Sequence, residues 1–403
     1  MTWTNWAENQ TCAARVVTPA SEDEVVAEVR RALAAGSGLR AAGAGHSFTP
    51  VVTTDGTILD ADGLRGIVHV DTARGLVTAL PGTTVAGFGD PLWAAGLALA
   101  NQGDIDTQAI AGAIATGTHG SGNALPSFSA TMRGCRLVDG HGEVVEIDES
   151  RPDLLRAAQV AIGMLGVMTS VTIEVCPAYR LSERIEHRPF GEVLADWDAL
   201  FAGHRHFSFF WLPSEASAEL YGLATPPGQR MTDTCYVKVY DEAGDDLPDD
   251  VTPGRRVDRS YRIYPGEFDT NFHELEYFVP LERGREAVEA MRELMLASQP
   301  DAIFPLEVRT VAADDAHLSS NYRRATTVIS VSGMPGQDYW PYLRAVDRLL
   351  GEFDARVHWG KLHFLTREQL AERYPESEAF IALRRERDPN GVFLNDHLRP
   401  LFE

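Results

Sequence analysis

Two long runs of small residues constrain this chain more than any other feature of its sequence. The first run, residues 40–48, is Arg-Ala-Ala-Gly-Ala-Gly-His-Ser-Phe and directly follows a predicted strand. Small side chains leave backbone NH groups uncovered, so a pyrophosphate can approach them closely. The Rossmann fingerprint is absent, because Phe48 stands where its third glycine would be and no helical pattern follows. Taken alone, the run also fits a tight turn that carries a surface histidine.

The second run covers residues 103–122 and consists largely of Gly, Ala, Ser and Thr. Such a stretch permits backbone contact with a flat or extended ligand, while its hydroxyl and NH groups offer hydrogen bonds. A helix packed closely on its neighbour through alanines would have a similar composition. The presence of both runs in one chain favours a large ligand.

Composition and charge exclude several classes of protein. The chain has 403 residues, 44% of them hydrophobic, which predicts a globular protein of two domains. A formal net charge of -22 argues against a nucleic-acid partner, which would require basic surfaces. No apolar stretch has the length of a membrane span and the first ten residues lack a signal-peptide pattern, so we expect no membrane contact and a cytoplasmic location. The scattered cysteines indicate neither disulfides nor a zinc ribbon.

Hydrophobic periodicity and turn residues outline the elements. A capping box of Ser21 and Glu24 opens a predicted helix over 22–35, which Gly36 ends. The alternating segment 166–175 is predicted to be the last strand of the first domain. Further elements are predicted as strands at 56–59, 66–70, 75–80, 135–138, 143–147, 206–212, 303–310, 326–332 and 356–360, helices over 84–95 and 338–353, and an exposed loop at 241–254.

One predicted strand carries a candidate catalytic pair. Because side chains two apart on a strand share a face, Phe304, Leu306 and Val308 lie on one side and Glu307 and Arg309 on the other. A pair opposite a packed face is either a solvated salt bridge or the wall of a pocket.

Six sequence motifs occur in the same order as in a known protein family and extend over nearly the whole chain. With them, the chain resembles the vanillyl-alcohol-oxidase-type flavoproteins, in particular the branch of alditol oxidase, L-gulono-1,4-lactone oxidase and D-arabinono-1,4-lactone oxidase. The motifs are Gly-His-Ser at 45–47, Ala-Thr-Gly-Thr-His-Gly-Ser-Gly at 115–122, Leu-Gly-Val-Met-Thr-Ser at 165–170, Glu-Val-Arg at 307–309, His-Trp-Gly-Lys at 358–361 and Asp-Pro-Asn-Gly-Val-Phe-Leu-Asn at 388–395.

The resemblance implies an α+β fold in three stretches. Residues 1–177 would form an FAD-binding domain of the PCMH type, and residues 178–370 a substrate cap domain with an antiparallel sheet covered by helices on one face. Residues 371–403 would return to the FAD-binding domain.

The resemblance also implies a cofactor, FAD, bound covalently to His46 through the flavin 8α-methyl group. The cofactor-binding residues implied are Ala41, Ala42, Gly43, Ala44, Gly45, His46, Ser47, Gly103, Asp104, Ala109, Gly112, Ala113, Ile114, Ala115, Thr116, His119 and Met168.

The implied reaction is removal of hydride from a hydroxyl-bearing carbon of a polyol or aldonolactone to flavin N5, with O2 reoxidising the flavin to give H2O2. Arg309 and Lys361 would stabilise the developing alkoxide, because cations beside the oxygen lower its energy. Glu307 would orient Arg309 and hydrogen-bond a neighbouring substrate hydroxyl. These three are the expected catalytic residues.

Departures from the family bear on the substrate. Gly103-Asp104 replaces the Ala-Ser of many relatives, and Ser330 stands where alditol oxidase has a histidine, with Ser332 two positions on. We expect Asp104, Ser330 and Ser332 to contact the substrate. Asp104 fits either a substrate that carries an amine or a hydrogen bond between Asp104 and a substrate hydroxyl. The small Gly103 favours access of oxygen to the flavin.

Several alternatives remain open. The same flavin chemistry on a specialised secondary metabolite or an aminosugar is one, and a dehydrogenase with another electron acceptor is a second. A catalytically silent flavin protein is disfavoured by the intact catalytic residues. A metal site of His119, His358 and His363 is disfavoured because no metal-ligand spacing such as H-E-x-x-H is present, so we expect no metal.

Overall fold

A computed structural model describes residues 2–266, 271–298 and 303–403. Within these residues, no helix combines the length and the apolar composition that crossing a membrane requires. Most strands belong to a five-stranded sheet in the first part of the chain and an eight-stranded sheet in the second.

The first part of the chain contains twelve short strands and five helices among the described residues. The strands are β1 Thr2–Thr4, β2 Thr11–Ala13, β3 Arg15–Val17, β4 Leu39–Ala42, β5 Thr57–Asp60, β6 Ile67–Asp71, β7 Leu76–Ala79, β8 Leu97–Ala98, β9 Met132–Val138, β10 Val144–Asp148, β11 Val167–Glu174 and β12 Cys176–Pro177. The helices are α1 Glu22–Ala35, α2 Gly89–Ala94, α3 Ile110–Thr116, α4 Phe128–Thr131 and α5 Pro152–Gln159.

Helix α1 connects two strands of a small parallel sheet ordered β3-β5-β4. The Ser21 side chain accepts a hydrogen bond from the Glu24 backbone NH, and Gly36 ends the helix with φ of 60°, which confirms the predicted helix. Its buried Val25 and Val29 pack against the adjoining five-stranded antiparallel sheet, ordered β10-β9-β11-β7-β6.

The second part of the chain is built on one large antiparallel sheet. Its strands are β13 Arg180–Pro189, β14 His206–Leu212, β15 Thr234–Ala243, β16 Val257–Arg259, β17 His273–Pro280, β18 Leu306–Val311, β19 Thr326–Gly333 and β20 Arg356–Val357, in the order β16-β13-β15-β14-β18-β19-β17-β20. The helices are α6 Phe190–Ala195, α7 Trp197–Gly203, α8 Glu215–Leu220, α9 Ser260–Ile263, α10 Gly284–Ser298, α11 Trp340–Gly351, α12 Arg367–Arg373, α13 Ser377–Arg387 and α14 Arg399–Phe402.

The two faces of the large sheet differ in chemistry. Helices α10 and α11 cover one face and pack on apolar side chains such as Val308 and Ile329. On the other face Glu307 is directly opposite Ser330, which is in turn opposite Glu276, so three strands align polar groups in one row. The observed α+β architecture therefore has the sheet and one-sided helical cover that were predicted.

Some boundaries differ from the sequence predictions. The segment predicted as a helix over 84–95 starts with a 3-10 turn at Ala86–Phe88, since Thr84 is in a bridge with Ala109. The predicted strand 303–310 begins only at Leu306, after Pro305, which cannot donate a ladder hydrogen bond. The predicted strand 356–360 ends at Val357, because the chain turns there and Lys361 NH bonds back to the carbonyl of His358.

A buried arginine ties the carboxyl end of the chain to the first small-residue run. Arg40 donates hydrogen bonds to the carbonyls of Val51 (2.7 Å), Ile162 (2.6 Å) and Phe393, and burial lowers the pKa of Arg40 to about 10. The NH of Leu39 donates to Val392 O at 2.9 Å. These contacts join three distant segments beneath the turn at 43–48. The division into domains at 177 and 370 stays a prediction.

Replacing Arg40 tests how far the fold depends on this junction. Arg40→Met leaves several buried carbonyls without a donor, so unfolding free energy should fall by about 3 kcal/mol or more. Arg31→Met, which removes an exposed ion pair with Glu28, should change it by less than about 0.5 kcal/mol. Urea unfolding measures both, and equal effects would contradict a structural role for Arg40.

Candidate functional site

A cleft of about 1320 Å³, open to solvent, lies between the two small-residue runs. The turn after β4, helix α3 and the segment before β11 form its walls. Of the residues predicted to bind the cofactor, the cleft is lined by Ala41, Ala42, Gly43, Ala44, Gly45, His46, Ser47, Ala109, Gly112, Ala113, Ala115, Thr116 and Met168. Gly103, Asp104 and His119 line a neighbouring cavity instead, and Ile114 is buried in the core.

The geometry explains why the runs consist of small residues. A Cβ added to Gly43 would lie 2.6 Å from the Cβ of Ala109, so the two runs touch at this point. Gly45 has φ of 71°, in the left-handed region that favours glycine. A Cβ on Gly112 would meet no described atom within 4 Å, because this side of α3 faces the cleft. The walls can therefore contact a ligand through the backbone.

His46 lies at the edge of the cleft. Its Nε2 lies 3.1 Å from Thr107 Oγ1, and among the described residues its Nδ1 has no hydrogen-bond partner. Burial, and then the charge of Lys361, lower the pKa of His46 to about 4, so the imidazole is neutral at pH 7. The NH of Phe48 donates to Gly360 O at 2.7 Å, which brings the turn against the segment that carries Lys361.

A second cavity of about 580 Å³ lies against the polar face of the large sheet. It is lined on one side by Asp104 and its loop and on the other by charged residues of β17 and β18. The two cavities meet, because both are lined by Gln108, Thr118, His358 and Lys361. A reacting carbon placed here would be beside whatever occupies the end of the cleft.

Arg309 is the centre of the second cavity. Its guanidinium pairs with Asp104 (Nη1 to Oδ2, 3.1 Å), Glu307 (Nη2 to Oε2, 3.3 Å) and Glu276, to which Nη2 donates. The side chain of Arg309 is only 9% exposed. Of the two alternatives for Glu307 and Arg309, the structure shows a pocket wall that is also a buried ion pair.

Glu307 has an oxygen available to a ligand. Its Oε1 is buried and, within the described ranges, accepts no hydrogen bond. Burial raises the pKa of Glu307 to about 8, with the charge of Asp104 adding to the shift and Arg309 opposing it. The carboxyl group therefore changes charge in the pH range in which an enzyme would be assayed.

Lys361 reaches the junction of the cavities from the other side. Its Nζ pairs with Glu274 and lies 4.9 Å from the ring centroid of Phe48. Ser330 also donates to Glu274, and Ser332 Oγ is 3.0 Å from the hydroxyl of Tyr221. The two serines thus support groups that line the cavity, and their direct contact with substrate stays a prediction.

The sequence analysis missed two carboxylates on β17. Glu274 and Glu276 are two apart in His273–Pro280, the same alternation that identified Glu307 and Arg309, so the signal was present. His119 and His358 could not be connected to them from spacing. His119 Nε2 lies 3.0 Å from Glu276 Oε1, and His358 Nε2 lies 4.0 Å from it.

The disfavoured metal site is assembled only in part. Potential ligand atoms of His119, Glu276 and His358 lie within 4.8 Å of one another, whereas His363 contacts His397 and Trp359 instead. Glu276 is already bound by Arg309 and His119. These contacts give the cluster a role in holding Arg309.

Comparison with known proteins gives two family matches. Residues 13–148 match the model of an FAD binding domain, and residues 171–226 and 236–401 match that of D-arabinono-1,4-lactone oxidase. The chain is 35% identical to a protein named L-gulono-1,4-lactone dehydrogenase from Mycobacterium tuberculosis, with 98% of each chain covered. It is 29% identical to an alditol oxidase from a Streptomyces species, with 99% of each covered.

A solved structure shares the fold. A solvent-stable cholesterol oxidase superposes with a TM-score of 0.84 over 100% of this chain and 97% of its own, at 17% sequence identity. At such low sequence identity, this structural agreement shows a shared fold and nothing about function. It confirms the predicted fold class.

The raised pKa of Glu307 has a consequence for stability. Between pH 5 and about 8 the carboxyl is ionised in the unfolded chain but protonated in the folded one, so wild-type stability falls as pH rises. Relative to Glu307→Gln, which cannot ionise, the loss should be about 1.4 kcal/mol per pH unit. Urea unfolding of both proteins across this range measures it, and parallel curves would contradict a protonated Glu307.

Proposed function

Because the chain belongs to the D-arabinono-1,4-lactone oxidase family and has an FAD binding domain, we propose that it oxidises a hydroxyl-bearing carbon of a polyol or aldonolactone. The observation that carries this proposal is the junction of the two cavities. There the small-residue cleft meets a buried pocket that contains Arg309, Lys361 and the available oxygen of Glu307.

The backbone-rich walls of the cleft fit FAD. We place the extended part of the cofactor between the turn at 43–47 and helix α3, where the missing side chain of Gly112 leaves space. When bound, FAD supplies the hydride acceptor. The protein has to position the substrate carbon and control charge around its oxygen.

Arg309 and Lys361 would act on the substrate oxygen from two sides of the pocket. Both are cations in a largely water-excluded site, where their attraction for a developing alkoxide is stronger than in water. Glu307 would hold a neighbouring hydroxyl through Oε1 while its other oxygen orients Arg309. Above its pKa of about 8 it is an acceptor, and below it a donor.

The structure disfavours the aminosugar alternative. Both oxygens of Asp104 already accept from cations, Oδ1 from Lys238 at 2.8 Å and Oδ2 from Arg309 at 3.1 Å. An amine would have to compete with two buried ion pairs. A neutral hydroxylated substrate needs no such exchange.

We propose O2 as the electron acceptor, with a non-oxygen acceptor as the second candidate. The second is favoured by the name dehydrogenase of the Mycobacterium tuberculosis relative, and the first by the alditol oxidase. A Cβ on Gly103 would meet Thr118 Cγ2 at 3.4 Å, an ordinary contact, so glycine there leaves the space of one methyl group. We also retain a cytoplasmic location, to which four free cysteines among the described residues are suited.

Substrate oxidation can be tested by anaerobic mixing. We expect alditols, L-gulono-1,4-lactone or D-arabinono-1,4-lactone to bleach the flavin of the purified protein, and air to restore its colour if O2 is the acceptor. Lys361→Met should slow flavin reduction by about 100-fold, because one cation beside the alkoxide is lost. Arg31→Met, on an exposed helix face, is the matched control. A protein that no member of the panel bleaches would contradict the proposed function.

We further propose that the flavin is bound covalently to His46. A neutral imidazole with a free ring nitrogen at the cleft edge is suited to nucleophilic attachment. After acid precipitation the yellow colour of the wild-type protein should stay in the pellet. That of His46→Ala should pass into the supernatant, and a wild-type protein that releases its colour refutes the link.

A further inference from the structure

Lysine occurs at only two positions of the chain, 238 and 361, among 36 basic residues. Apart from the histidines, every other basic residue of the chain is arginine. Lys361 lies at the junction of the two cavities, and Lys238 pairs with Asp104, which also pairs with Arg309. In a chain that otherwise uses arginine throughout, lysine at 238 indicates a requirement for an ammonium group.

Lys238 connects two distant parts of the structure through one carboxylate. It extends from β15 and its Nζ lies 2.8 Å from Asp104 Oδ1, with the side chains 10% and 11% exposed. Asp104 lies on the loop between β8 and α3, and its second oxygen accepts from Arg309. Within the described part of the chain, the residues lining the second cavity include Asp104 and Arg309 but not Lys238. Lys238 therefore does not line the cavity itself, and Asp104 is the cavity residue to which it donates a hydrogen bond.

The chemistry of the two cations explains the choice of lysine. An arginine fork binds both oxygens of a carboxylate, whereas an ammonium is a point charge that occupies one. At position 238 an arginine would compete with Arg309 for Asp104 Oδ2. Lysine takes Oδ1 and leaves Oδ2 to Arg309, as observed.

The balance of buried charges also explains why a cation is needed at position 238. Arg309 faces the carboxylates of Asp104 and Glu276 and the carboxyl group of Glu307, all of them buried. A buried carboxylate without a matching cation is strongly unfavourable. Lys238 supplies the second cation for Asp104, so that Asp104 remains an anion and its oxygen holds Nη1 of Arg309 in place.

We propose that Lys238 is a positioning residue, which through Asp104 fixes the guanidinium of Arg309 against the substrate oxygen. This role rests on the proposed function of Arg309. The titratable groups around Lys238 are Asp104 from the loop, Glu307 from β18, Tyr240 from its own strand and Tyr264 after α9. Lys238, Asp104 and Arg309 thus form a chain of ion pairs, in which Arg309 is the member that would contact the substrate oxygen.

The kinetic test uses three variants of the holoenzyme. In Lys238→Met, Asp104 is left with one cation, and in Lys238→Arg it is bound by a fork. Both should lower the limiting rate of anaerobic flavin reduction by at least about tenfold, with substrate Kd changed by less than about threefold, because orientation rather than binding is lost. Arg31→Met is again the control.

A double variant separates positioning from simple loss of packing. Asp104→Asn combined with Lys238→Met removes both charges together, while the asparagine oxygen still accepts from Arg309. Its reduction rate should be at least about threefold above that of Lys238→Met, because no buried carboxylate is left short of a cation, but below that of the wild type, because the ion pair with Arg309 is lost. In Lys238→Met the pKa of Glu307 should also rise, because the charge of Lys238 lowers it, and the pH dependence of flavin reduction measures this change. A double variant as slow as Lys238→Met would overturn the proposal.

A spectroscopic test requires no substrate. Protein labelled with 15N-lysine has two side-chain Nζ signals, and Lys238→Met identifies one of them. Asp104→Asn should shift the Lys238 signal and speed its hydrogen exchange, while the Lys361 signal changes less. An unchanged Lys238 signal overturns the coupling even if no substrate bleaches the flavin, whereas a shifted signal without bleaching would locate the failure in the proposed reaction.

Discussion

The pairing of Arg309 with three buried carboxyl groups is the interaction on which the site depends. Asp104 comes from a loop of the first part of the chain, Glu276 from β17 and Glu307 from β18. Because a buried guanidinium must be paired, these segments have to meet in one arrangement. The ion pairs thereby join the large sheet to the loop of Asp104 and form much of the wall of the second cavity.

The large sheet holds the polar groups of this network at fixed positions relative to one another. Strands β18, β19 and β17 are in a fixed antiparallel register, which aligns Glu307, Ser330 and Glu276 across the sheet. Side-chain alternation assigns these polar groups to one face and the apolar residues under α10 and α11 to the other. Packing on the covered face therefore fixes the polar groups, since a slip of one residue would exchange the two faces.

Sequence patterns predicted much of this site, but unevenly. Capping residues predicted helix α1 correctly, and both small-residue runs contributed to the cleft walls. Alternation identified Glu307 and Arg309, and it was also present in β17, where Glu274 and Glu276 went unrecognised. Lys238 gave no local signal, because its significance lies in a partner 134 positions away.

The sequence by itself determined the family, the large ligand that two runs of small residues favour, and the facing of side chains along each strand. These are local properties, set by residue size, backbone freedom and a period of two. Only the tertiary structure decided that Asp104 is held between Lys238 and Arg309 and that Glu276 links Arg309 to His119. It also decided that Ser330 supports Glu274. Electrostatic pairing depends on distance in space, and residues far apart in the chain acquire that distance only on folding.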